Sequence, residues 1–73
     1  MTIRSAWELR AMNATPQPGH YVALTESERR VLVEGPFATE EAATGAVAAV
    51  RDAWREADPW SESAAWGTAT IAP

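Results

Sequence analysis

Few residues in this chain can do chemistry, and their spacing gives them little to do. His20 is the only histidine. As a general base it would need a nucleophile and an orienting carboxylate in a fixed constellation. The available serines, Ser27, Ser61 and Ser63, fall in expected loops, with no nucleophile elbow or oxyanion motif beside them. His20 itself follows Pro18-Gly19 and reads as an ordinary surface histidine at a strand edge. The acids are no better arranged for metal. Glu40 and Glu41 are adjacent and splay apart on a helix, and Asp58, Trp60 and Glu62 do not follow a calcium-loop pattern. Without cysteine there is neither a disulfide nor a thiolate zinc site. Without lysine there is no Walker or Schiff-base chemistry, and Gly35-Pro36 and Gly67 do not form a phosphate loop. The expectation is a non-enzymatic protein with no catalytic residue, metal or cofactor, whose function lies in binding.

Charge is then the main surface signal. Ten Asp and Glu oppose six Arg, a net charge of -4. Phosphate backbones and anionic lipid require a basic face, so direct nucleic-acid and membrane binding are not expected. A basic protein partner is. At 100° per residue, Glu41, Asp52 and Glu56 fall within about 60° of one another on a helix and form the first candidate contact set. Asp52 and Glu56 are a like-charge i, i+4 pair, with Arg51 and Arg55 on the neighbouring flank. Glu26, Glu28 and Glu34 supply a second acidic edge on a hairpin. A competing contact set is aromatic: Tyr21 and Trp66, with Leu32 and Thr68, on an outer sheet face, unless Trp7 and residues 1–13 fold over and cover that face, which is an equal expectation.

These residues must be positioned by a small scaffold. The 73 residues allow one domain, read here as an N-terminal arm and Pro-containing linker over 1–19 and an α+β domain over 20–73. A chain of this size buries only roughly 60% of its unfolded surface, so its four tryptophans matter. Ser5-Ala6-Trp7-Glu8 fits a helical capping box, whereas Ile3, Trp7, Leu9 and Ala11 also fit one face of a strand. In either case Trp7 is expected to pack onto the domain. The prolines of 14–19 mark the linker.

His20–Thr25 and Arg29–Glu34 read as a hairpin with a loop of three to four residues. Val22, Leu24, Val31 and Val33 are assigned to the core face. Tyr21, Ala23, Arg30, Leu32 and Glu34 are assigned to the outer one. Gly35-Pro36 is expected to stop the strand, and Thr39 to cap a helix over about 40–57. Its inner stripe is Ala43, Ala46, Val47, Val50, Trp54 and Ala57. Residues 58–64 read as loop and 65–71 as a third strand, with Ala69 and Ile71 toward the helix and Trp66, Thr68 and Thr70 away from it. The expected fold is ββαβ: a three-stranded antiparallel sheet of order 2-1-3 with one long helix on one face.

Gly35-Pro36-Phe37-Ala38-Thr39 with Glu41-Ala42, followed by Asp58-Pro59 and Gly67-Thr68, resembles a family of small phage- and prophage-borne proteins over residues 20–71. In size, acidity and α/β form the chain is similar to small anti-CRISPR proteins, including ones directed at type I-C Cascade. That resemblance implies an inhibitor that blocks DNA recruitment by occupying a basic surface of a Cascade subunit in the host cytoplasm, as a monomer or weak homodimer. Val33 to Ala42 also resembles the first half-motif of SPOR peptidoglycan-binding domains. Those domains repeat the strand–helix unit and sit outside the cytoplasm, whereas this chain has one such helix and no apolar N-terminal segment of export type.

Overall fold

The computed structural model describes residues 3–73, with only the backbone considered at 62 and 63. Met1 and Thr2, the start of the expected arm, therefore lie outside the described residues, as do the side chains of Glu62 and Ser63. The elements are α1 (Ala6–Ala14), β1 (Gly19–Glu26), β2 (Arg29–Phe37), α2 (Glu40–Ala57), a 3₁₀ turn (Pro59–Ser63) and β3 (Ala65–Ile71). The sheet is antiparallel throughout, in the order β2-β1-β3.

The arm is helical because its capping box closes. Ser5 Oγ accepts from the Glu8 N–H at 3.2 Å, and the Glu8 carboxylate accepts from the Ser5 N–H at 3.1 Å. Two otherwise orphaned amides are thereby satisfied. The helix turns Leu9 and Met12 toward the sheet. Trp7 does not pack onto the domain as expected. At 100° per residue it points about 160° away from Leu9 and stays 74% exposed.

The hairpin is tighter than expected. Glu26 pairs with Arg29, so the loop is only Ser27-Glu28, with Ser27 in the left-handed region at φ 57°. The strand also runs past Gly35-Pro36, which was expected to stop it, and His20 pairs with Phe37. Proline is tolerated there because β2 is an edge strand and its register slips between His20 and Ala23. Gly35 has φ 137°, and a Cβ on it would stand 2.7 Å from the Tyr21 ring and 2.9 Å from the His20 carbonyl. The close approach of two backbones demands glycine at this point.

The helix α2 matches its expected span. Thr39 accepts from the Ala42 N–H at 3.1 Å, and Glu40 and Glu41 occupy the first turn, where the helix dipole favours them. Ala43 and Val50 are buried on its inner side. Ala46, Val47 and Trp54 pack around Val22, Leu24, Val33 and Val50, while Ala57 at the helix end is exposed.

The second sheet face is covered, not open. Tyr21, Ala23, Leu32 and Ala69 form a separate buried cluster, with Met12 of α1 and Ile71 packed against it. Tyr21 is 1% exposed and its hydroxyl donates to the Gln17 carbonyl at 2.7 Å. Tyr21, Ala23 and Leu32 do lie on the face away from α2, as expected, but that face is not an open contact surface: α1, through Met12, covers it, which is the alternative expectation for the N-terminal arm. The faces of β3, by contrast, are the reverse of the expectation. Leu24 pairs with Trp66 and Tyr21 with Ala69, and directly paired residues share a face. Trp66 therefore meets α2, while Ala69 and Ile71 join Tyr21.

Candidate functional site

The charge of the molecule is segregated. Between 40 and 62 there are six carboxylates and two arginines, which accounts for the whole net charge of -4. The remainder is balanced, with Arg4, Arg10, Arg29 and Arg30 against Glu8, Glu26, Glu28 and Glu34. The helix α2 and the turn after it thus form the negative pole.

On α2 the expected contact residues Glu41, Asp52 and Glu56 are all exposed. Helical phase puts them on one side, but not in one patch. Glu41 and Asp52 are separated by about 16 Å at 1.5 Å per residue. Asp52 and Glu56 border a shallow depression of about 220 Å³ with Ala49 and Ala53. Glu41 borders a second one, with Thr39, Glu40, Thr44 and Gly45. Asp52 Oδ1 lies 3.7 Å from Arg51 Nε and 3.8 Å from Arg55 Nη2. Exposed pairs at such distances bind weakly, so the carboxylate stays available to a partner cation.

The other expected contacts separate. Glu26 and Glu28 are exposed at the hairpin tip. Glu34 is not a free edge carboxylate. It accepts from Arg4 Nη2 at 2.8 Å and Nε at 3.2 Å, while Arg4 also donates to the Gly35 carbonyl at 3.0 Å. It anchors the entry to α1. Tyr21 is core. Trp66 is half-buried, lies 6.4 Å from Trp54 in a tilted ring pair, and donates its indole N–H to the Ser61 carbonyl at 3.2 Å. Tyr21 and Trp66 therefore hold the fold and do not form an outer contact face.

His20 stands in the central strand, not at a sheet edge, and is half-buried. Its Nδ1 lies 3.0 Å from Thr70 Oγ1, the residue directly across the pairing. The geometry is that of a cross-strand polar pair, which stabilises a sheet. Among the described residues no group of three or more His, Asp and Glu is placed to hold a metal ion. No described helix is long and apolar enough to cross a membrane.

One surface escaped the sequence reading. Arg10, Arg29 and Arg30 rim an open cleft of about 510 Å³ whose floor includes Leu9 and Val31. All three arginines are exposed, and none forms an ion pair among the described residues. Arg10 also borders a small apolar hollow with the exposed Trp7. The Trp7–Arg10 spacing of three on a helix was the visible signal. The arrival of Arg29 and Arg30 beside them depends on α1 docking against β2.

No protein-family model matches the chain, and searches of curated proteins and of solved structures return no match.

Proposed function

We propose that the protein is a non-enzymatic binding protein that docks the acidic side of α2 onto a basic protein surface and competes there with nucleic acid. The observation that carries this reading is the confinement of the net negative charge to one helix and the turn after it. A rigid helix presents carboxylates without ordering cost at binding, and a charged pole of this kind accelerates encounter with an opposite surface. The resemblance to small anti-CRISPR proteins makes the basic DNA-binding surface of a type I Cascade complex the first partner to test.

The test is a DNA mobility-shift assay with type I-C Cascade and increasing protein. Inhibition that weakens with added salt is expected, because exposed charges are screened. Asp52→Arg with Glu56→Arg should remove the inhibition while thermal unfolding stays unchanged. DNA binding unaffected by excess protein would overturn the Cascade assignment, and inhibition undiminished by the double reversal would overturn the role of α2.

A second reading rests on the arginine-rimmed cleft. Trp and Arg are the residue types that dominate interface energies, and Trp7 stands exposed beside the Arg10, Arg29 and Arg30 cleft. Such a surface fits an acidic protein segment. Trp7→Ala would weaken binding under this reading and leave it unchanged if α2 is the contact.

A further inference from the structure

The two edges of the sheet are treated differently. At the β2 edge, the Asn13 side chain bonds both the N–H and the C=O of Leu32 at 2.9 Å, and Arg4 bonds the Gly35 carbonyl. The helix α1 thus occupies backbone groups that another strand would otherwise pair with. The β3 edge has no such cover. It hydrogen-bonds to β1 alone, and among the described residues no helix or loop bonds its outer backbone.

Natural edge strands are usually blunted by charge, proline or a bulge. β3 has none of these. Ala-Trp-Gly-Thr-Ala-Thr-Ile is uncharged, contains no proline, and keeps an unbroken register of seven pairs with β1. Gly67 lies in its middle, and a Cβ there would meet nothing within 4 Å. Nothing among the described residues explains that glycine. Glycine inside a strand often marks the close approach of another backbone.

We propose that β3 pairs antiparallel with β3 of a second copy, giving a six-stranded sheet of order 2-1-3-3-1-2 around a two-fold axis. The position of α2 supports a second copy as the occupant. It lies evenly over β1 and β3 and less over β2. Strands about 4.8 Å apart would then set the two α2 axes about 10 Å apart, at the upper end of helix-packing distance. The two-fold axis makes these helices antiparallel. An uncharged strand meets its own copy without like-charge opposition.

Sedimentation equilibrium over a concentration series tests the proposal, with native protein expected to approach twice the chain mass. Gly67→Lys adds a side chain where there is room and sets two like charges near the axis. It should keep the circular dichroism spectrum and weaken self-association about tenfold or more. Single cysteines placed in turn at 66–70 add a positional readout, since the chain has no other cysteine. Disulfides require Cα atoms roughly 4.4–6.8 Å apart, so only positions near the axis should cross-link to themselves. Native protein that stays monomeric throughout the series would overturn the proposal. So would a dimer that survives Gly67→Lys and cross-links at none of these positions.

Discussion

Asn13 and Leu32 are joined as a strand would join its neighbour, although Asn13 is in a helix. The Asn13 carboxamide accepts from the Leu32 N–H and donates to the Leu32 carbonyl, both at 2.9 Å. Its amide nitrogen also donates to the Leu9 carbonyl at 2.8 Å, which fixes the side chain against its own helix. One amide side chain therefore closes the β2 edge and docks α1 onto the buried cluster of Tyr21, Ala23, Leu32 and Ala69.

Asn13→Ala should loosen α1 without melting α2. Two backbone groups of Leu32 lose their partners, at a cost of roughly 1–3 kcal/mol if they are not rehydrated. Asn13→Asp should be nearly as harmful, because a carboxylate accepts from the N–H but repels the carbonyl. Hydrogen exchange locates the effect: the Leu32 amide should lose protection, while Val47 and Val50 keep theirs.

The same helix is pH-sensitive at its start. The Glu8 carboxyl is held below the ordinary glutamate value, first by its hydrogen bond to the Ser5 backbone N–H, then by the Ser5 side chain and nearby Arg4. A depressed folded value means stability that is present above the unfolded glutamate range and is lost as pH falls through the folded value. Acidification should therefore fray α1 before α2. Glu8→Gln keeps a capping acceptor but does not titrate, so its α1 amide shifts should lose that acid transition. An unchanged acid transition in Glu8→Gln would assign it to another group.

Two glycines should respond in opposite directions to alanine. Gly45 lies on the exposed side of α2 with nothing within 4 Å of a new Cβ, so Gly45→Ala should stabilise the fold by up to about 1 kcal/mol. Gly35→Ala places a methyl 2.7 Å from the Tyr21 ring in a left-handed backbone and should destabilise strongly. Thermal melts of the two variants, with midpoints moved to opposite sides of the native one, check both.

The legible part of this fold follows from signals that are local. The Thr39 cap, the glutamates after it and the alanine-rich stripe set α2, and alternation sets Val22, Leu24, Val31 and Val33 beneath it. β3 failed as a face assignment because Ala65, Gly67, Ala69 and Ile71 differ little in apolar character from Trp66, Thr68 and Thr70. Pairing with β1, not alternation, decides between them. The exposure of Asp52 and Glu56 was readable from helical phase. The capture of Glu34 by Arg4 was not, since it joins residues thirty apart. The same docking of α1 created the arginine cleft and buried Tyr21, so one long-range event separates the expected site from the observed surface.

Trp66 and Trp7 provide a sharp test of that separation. Trp66 is packed against Trp54 and hydrogen-bonded to Ser61, so Trp66→Ala should cost about 3–5 kcal/mol, a large share of the stability of so small a domain. Trp66→Phe retains ring contact with Trp54 but loses the indole donor, and should cost less. Trp7 is mostly exposed on the outer side of α1, so Trp7→Ala should change stability by no more than about 0.5 kcal/mol. Urea denaturation followed by far-ultraviolet circular dichroism measures all three without relying on tryptophan emission. A Trp66→Ala midpoint close to native would show that Trp66 does not hold β3 to α2. A large loss for Trp7→Ala would show that its indole lies against the domain after all.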